Sequence, residues 1–197
     1  MRVEQKQVVY TYKIVIVGAG GVGKTCLFNR YCFNSFNINT MMTIGINFHS
    51  TYLKLHYNGS EDEDDEYYVV NAIFDFGGQE RFKPLIPQFL EGASGALLVF
   101  DSVRYPSLEQ LDYWYEQLIE NASDEIPKLL IGSKADLLDK TPTGEIVKKE
   151  LILDFMERNN IDGFYRTSAL ENYNVLEVFK ELTNLILRKN QVEACVE

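Results

Sequence analysis

The sequence is short of the residues that build disulfide frameworks and histidine metal centres. Its 197 residues include three cysteines, two histidines and one tryptophan. Cys26, Cys32 and Cys195 are widely spaced and form no CxxC pair. That excludes a disulfide scaffold and a thiolate zinc site, and fits the reduced thiols of a cytoplasmic protein. His49 and His56 have no second ligand at metal-binding spacing. Acidic residues outnumber basic ones 29 to 19, for a formal charge of −10. This balance argues against broad, nonspecific binding to nucleic acid or anionic lipid, though not against a local basic patch, and no nucleic-acid partner is expected. No apolar run is long enough to cross a bilayer: "VVYTYKIVIVG" is short and broken by polar residues, and the opening "MRVEQKQ" is too polar for a leader. The closing "EACVE" leaves two residues after its cysteine where a prenylation box needs three. No intrinsic lipid anchor is expected.

What is present reads as one α/β domain. Apolar residues make up 46 % of the chain and charged residues 24 %, near the globular average. A chain of this length buries roughly 70 % of its unfolded surface. Residues 8–17 form a continuous β-branched and aromatic run that stops at Gly18, the mark of a buried strand. A helix is expected from about residue 23 to 31. Residues 46–57 and 67–74 are β-rich and flank the turn "NGS" and the acidic run "EDEDDE" (61–66), which predicts an antiparallel hairpin. That acidic run has the composition of a solvated loop, or of a docking site for a basic partner. Beyond it, strands at "GALLVFD" (95–101), "KLLIG" (128–132) and "GFYRTSA" alternate with helical stripes. Leu108, Leu111, Tyr115 and Leu118 mark one helix. Val147, Leu151 and Phe155 mark a second, opened by Gly144 and Glu145. Val175, Val178, Phe179, Leu182, Leu185 and Ile186 mark the last. Such alternation predicts an open, mostly parallel sheet covered on both faces. Trp114 and Tyr113 lie on the third helix as packing residues or as a partner surface.

"GAGGVGKT" (18–25) lies between the first strand and the first helix and matches the phosphate-loop pattern. Gly20, Gly21 and Gly23 let the backbone curl so that successive N–H groups face phosphate oxygens. The helix N-terminus adds its positive end. Lys24 supplies a mobile cation, and the Thr25 hydroxyl can ligate Mg²⁺, a hard ion that prefers oxygen. This selects a nucleoside polyphosphate with magnesium and leaves ATPases, GTPases and small-molecule kinases open. "LLIGSKADLL" (129–138) closes a buried strand, where α/β sheets bind ligands. Lys134 can lay its stem along a base. The Asp136 carboxylate can accept from both guanine N1–H and N2–H₂, an edge adenine lacks. A buried acceptor left unpaired costs about 1–3 kcal/mol. Alone, Lys-x-Asp equally marks a helix start. "RTSAL" (166–170) follows the next strand and offers the Ala169 N–H to a guanine O6.

In this order the chain resembles a small GTPase of the Ras superfamily, in its Rab-like branch. "GAGGVGKT", "TIGINF", "FDFGGQERF", "GALLVFD", "SKAD" and "TSA" carry the resemblance over residues 10–188. It implies a phosphate-loop G domain with a six-stranded mixed sheet, one strand of it antiparallel, flanked by five helices. A single domain is expected over residues 8–189, with a short flexible tail over 190–197. The implied nucleotide-binding set is Gly20, Gly21, Val22, Gly23, Lys24, Thr25, Cys26, Phe36, Thr43, Gly78, Ser133, Lys134, Asp136, Leu137, Ser168, Ala169 and Leu170.

By the same resemblance, Thr43 touches Mg²⁺ and the γ-phosphate only in the GTP state, and Phe36 packs edge-on against guanine. Asp75 holds Mg²⁺ through water. Gly78 donates its N–H to the γ-phosphate, and Gln79 orients the attacking water. Lys24 and Gln79 form the catalytic pair, since phosphoryl transfer needs positioning and charge neutralisation. No arginine in the chain is placed by the sequence to serve the phosphates; Arg81 matches a surface residue. The departures are Ser133 where the family has Asn, Phe76–Gly77 where it has Thr-Ala, Thr40 where an aromatic closes over the phosphates, and Leu170 where Lys is common. The function expected is a cytoplasmic, monomeric switch that hydrolyses GTP slowly. Its partners are GTP and GDP, an activating protein, an exchange factor and effectors, with membrane attachment left open. The alternative is a guanine-nucleotide-binding module with negligible hydrolysis. An ATP-using kinase is disfavoured by Asp136 and by the lack of a substrate lid.

Overall fold

Alternation along the first strand decides the architecture. In β1 (Gln7–Val17), Ile14 and Ile16 pack into one core cluster and Val15 and Val17 into another, and all four are fully buried. A strand buried on both sides needs helices on both faces. The computed structural model describes residues 7–37, 43, 45–57, 66–77 and 84–196.

The remaining elements follow in order. They are α1 (Lys24–Phe33), β2 (Ile46–Tyr57), β3 (Tyr67–Phe76), α2 (Ile86–Leu90), β4 (Gly95–Asp101), α3 (Pro106–Glu109) and α4 (Leu111–Asn121). After them come β5 (Lys128–Ser133), a 3-10 turn (Ala135–Lys140), α5 (Lys149–Arg158), β6 (Gly163–Arg166), α6 (Val175–Lys189) and β7 (Ala194–Val196). The sheet order is β6-β5-β4-β1-β3-β2-β7. The pairs β1–β3, β1–β4, β4–β5 and β5–β6 are parallel, while β2 runs antiparallel to β3. The predicted hairpin is therefore present. On one face, Leu27 and Phe28 of α1 and the stripe of α6 cover Ile14, Ile16, Leu97, Val99, Leu129 and Ile131. On the other, residues of α2, α3, α4 and α5 cover Val15, Val17, Leu98, Phe100 and Leu130. Trp114 is only 4 % exposed and belongs to this second core, which settles it as a packing residue.

Three expectations need correction. The sheet has seven strands among the described residues, not six. The seventh lies in the tail expected to be flexible: Ala194, Cys195 and Val196 pair antiparallel with Tyr57, His56 and Leu55. The Asn184 side chain of α6 secures it from the other side, accepting from the Val196 N–H at 2.8 Å and donating to the Val196 carbonyl at 3.2 Å. Ala194 and Val196 are buried in the first core cluster, so this short strand gains apolar burial as well as hydrogen bonds. Three residues are too few to show a period, which hid the strand in the sequence. Secondly, there are six α-helical segments among the described residues, not five, because the third predicted helix breaks at Gln110 into α3 and α4. Thirdly, α5 starts at Lys149. Gly144 and Glu145 form a turn before it, closed by a bond from the Glu145 N–H to the Pro142 carbonyl. Val147 is buried but extended toward Ser102, whose carbonyl accepts its N–H. No described helix is long and apolar enough to cross a membrane.

Asn184→Ala removes both side-chain bonds to Val196. It is expected to lower unfolding stability by about 1–3 kcal/mol, read from the midpoint of urea denaturation. An unchanged midpoint would count against a docked β7.

Candidate nucleotide site

The parallel strands β1, β3, β4 and β5 end on one edge, at Val17, Phe76, Asp101 and Ser133. Open α/β sheets bind their ligands along such an edge. The chain leaving β1 is pressed against β4. A Cβ at Gly18 would stand 2.2 Å from the Val99 carbonyl oxygen, so only glycine fits. Gly23 then opens α1 in a left-handed conformation, φ +100, that glycine adopts freely. It offers no side-chain cap, and the first turn carries no acidic residue. The positive helix end is thereby left for an external anion.

Lys24 is buried, and its Nζ donates to the Gly18 and Ala19 carbonyls at 2.7 and 2.8 Å. Burial pulls its pKa down to about 8, against the charge of Asp75, which pushes it up. Its ammonium also lies 5.9 Å from the Trp114 ring centroid. The Thr25 hydroxyl donates to Asp75 Oδ2 at 2.7 Å, and the Thr43 hydroxyl lies 2.6 Å from it. Asn47 Nδ2 donates to the same Asp75 oxygen at 3.0 Å. The other carboxylate oxygen, Asp75 Oδ1, is buried without a hydrogen-bond partner. Burial raises the Asp75 pKa, opposed by the Thr25 bond, the Lys24 charge and the Asn47 bond. Two hydroxyls beside a buried carboxylate that keeps one oxygen unsatisfied suit a hard, oxygen-seeking dication, so these residues fit Mg²⁺.

The base side is built from β5 and the loop after β6. Ser133 Oγ is buried against the Val22 carbonyl of the phosphate loop and the Phe100 carbonyl of β4, 2.8 Å from the latter. The serine thus ties β5 to the phosphate loop. Lys134 follows in a left-handed conformation, φ 59, and its Nζ bonds Asp101 Oδ2 at 2.7 Å. The Ser168 hydroxyl donates to Asp136 Oδ1 at 2.6 Å, which fixes that carboxylate, and the Ala135 N–H bonds the Thr167 carbonyl. Arg30 of α1 then clamps the loop: Nε donates to the Ala169 carbonyl at 2.7 Å and Nη2 to the Leu170 carbonyl at 3.3 Å. Gly20, Gly21 and Cys26 lie on the phosphate loop and the start of α1, Leu137 in the 3-10 turn, and Phe36 half-buried past the end of α1. Gly78, Gln79, Thr40, Arg81 and residues 61–65 of the acidic run lie outside the described residues. Arg30, Asn47 and Asp101 escaped the sequence reading. Asp101 was the most findable, as a carboxylate closing the apolar run "GALLVFD".

A sequence model of the Ras family matches residues 13–188. The chain is 36 % identical over 192 residues to Ras-related protein RABA1b of Arabidopsis thaliana, covering 94 % of this chain and 81 % of that relative. It is 34 % identical over 184 residues to Ras-related protein Rab11B of Nicotiana tabacum, covering 91 % and 78 %. It is 32 % identical over 186 residues to Ras-related protein Rab-10 of Diplobatis ommata, covering 92 % and 84 %.

Two outcomes follow from this geometry. Lys24 titrates near 8 in the folded, nucleotide-free protein and near 10.5 when unfolded. Between those values the unfolded chain holds more protons, so this group makes stability rise with pH through that window. A polyphosphate restores the charge. Calorimetry at about pH 9, in two buffers of different ionisation enthalpy, should show uptake approaching one proton on nucleotide binding, shrinking toward zero near pH 7. Equal uptake at both would contradict a depressed Lys24. Separately, Arg30→Ala frees the Ala169–Leu170 loop and is expected to weaken GDP binding about tenfold, measured by displacement of a fluorescent GDP.

Proposed function

The chain belongs to the Ras family, within its Rab-like small GTPases, and we propose that it acts in the cytoplasm as a monomeric switch, binding GTP and GDP with Mg²⁺, hydrolysing GTP slowly and cycling between states read by partner proteins. One observation carries this reading. Thr43, on a segment apart from the phosphate loop, closes on Thr25 at 2.6 Å beside the unsatisfied oxygen of Asp75. A segment whose hydroxyl reaches the proposed metal position can report what occupies that position.

The proposed mechanism follows from the same groups. Asp136 accepts from the guanine N1–H and N2–H₂, held by Ser168, while Lys134 lines the base and Ala169 offers its N–H. Lys24 leaves the Gly18 and Ala19 carbonyls for phosphate oxygens, exchanging neutral acceptors for charged ones. Thr25, Thr43 and, through water, Asp75 would hold Mg²⁺. When bound, that ion neutralises charge on the terminal phosphates. Gln79 orients the attacking water, and the Gly78 N–H marks the γ-phosphate. Once that phosphate leaves, Thr43 and Gly78 lose their partner. The two segments are joined where the Gly77 N–H bonds the Gly45 carbonyl at 3.0 Å, so they respond together. An activating protein, an exchange factor and effectors are the partner classes that such a change serves.

The alternative, an interaction module with negligible hydrolysis, is favoured by one feature. Phe76 is 3 % exposed and packs against Phe89, which pins the chain just before Gly77.

Single-turnover hydrolysis of bound GTP separates the two. Wild type should turn over with a rate on the order of 10⁻⁴ s⁻¹, and Gln79→Leu at least about tenfold more slowly. No turnover by wild type would hand the function to the alternative, and an unchanged Gln79→Leu rate would remove Gln79 from its role.

A further inference from the structure

Arg104 belongs to none of the motifs above, yet it touches the phosphate loop. Its Nη2 donates to the Gly20 carbonyl at 3.1 Å across 84 residues of sequence. The side chain is exposed, but the backbone beneath it is firmly held. The Arg104 N–H bonds the Asp101 carbonyl at 3.0 Å. The Arg104 carbonyl accepts from the Ser107 N–H at 3.0 Å and from its hydroxyl at 2.6 Å. Asp101 Oδ1 accepts from the Val103 N–H at 3.1 Å, while Oδ2 holds Lys134. One carboxylate therefore fixes both the turn that carries Arg104 and the lysine at the base. No ion pair holds the guanidinium among the described residues.

The position has a chemical consequence. The Gly20 carbonyl and the Gly21 N–H belong to one planar peptide unit. A guanidinium on the oxygen draws electron density from the nitrogen and makes the N–H a stronger donor. Gly21 stands at the open crest of the loop, at φ +76, with nothing within 4 Å of where a Cβ would be. The loop serves phosphate through its N–H groups.

We propose that Arg104 is a positioning residue of the phosphate site. Through the Gly20 carbonyl it brings a fixed positive charge to the loop and strengthens the Gly21 N–H toward phosphate oxygens, so that retention and turnover of the triphosphate depend on it. This rests on the GTPase reading above. It supplies from the β4 side an in-chain arginine that the sequence does not reveal.

The test compares Arg104→Lys, Arg104→Gln and Arg104→Ala in the full chain, measuring Mg²⁺·GTP and Mg²⁺·GDP affinity, single-turnover hydrolysis and Tm. Glutamine keeps a polar amide without the charge, and lysine keeps the charge. Arg104→Ala and Arg104→Gln should each weaken GTP binding and slow hydrolysis about tenfold. Arg104→Lys should stay within about threefold of wild type on every measure, and Tm should not move. If Arg104→Gln matches wild type, the residue is only a loop tether and the proposal is overturned. Equal GTP affinity and turnover in all four proteins overturn it too, leaving the GTPase reading intact. Failure of wild type to bind either guanine nucleotide defeats that reading instead.

Discussion

A lysine ammonium buried under a carbonyl-lined loop is the constraint on which the rest of the structure depends. Lys24 is held by the Gly18 and Ala19 carbonyls, both neutral acceptors, and its depressed pKa records the cost of burying a charge there. The fold places it there by force of packing. Gly18 is pressed onto β4, so the chain must curl before α1 begins. The uncapped start of α1 and the buried Asp75 carboxylate leave needs that a bound polyphosphate and its dication would satisfy together.

The segments proposed to read the base and to hold the phosphates are tied to one another. Ser133 joins β5, β4 and the phosphate loop through a single hydroxyl. Asp101 joins Lys134 to the turn after β4. Arg30 reaches from α1 to the loop after β6, and Ser168 passes that restraint on to Asp136. Buried or half-buried polar links of this kind are cheap when every member is satisfied and costly when one is removed. The replacement of Asn by Ser133 shortens the side chain but keeps its tie to the loop.

Much of this was legible in the sequence because it is local. The run 8–17, the glycines of "GAGGVGKT" and the stripe of α6 each declare themselves within one element, and the hairpin of β2 and β3 was visible from two β-rich runs around a turn. What was hidden depends on contacts between distant segments. Arg30 is an ordinary basic residue in the last turn of a helix until the loop after β6 arrives beside it. Asn47 looks like a strand polar residue until it meets Asp75. The seventh strand is three residues long and gains its stability from Asn184 and from the edge of β2, neither of which its own sequence can show. The start of α5 was misplaced because Val147 has helical spacing but is drawn by Ser102 into an extended approach.

The central claim is that the Asp136 carboxylate, fixed by Ser168, selects guanine in a nucleotide whose phosphates the buried Lys24 holds. Titration of nucleotide-free protein with Mg²⁺·GDP and with Mg²⁺·ADP tests it most directly. The account predicts tight binding of GDP and an affinity for ADP at least about tenfold weaker, because adenine would leave Asp136 unpaired. Equal affinity for the two would contradict it.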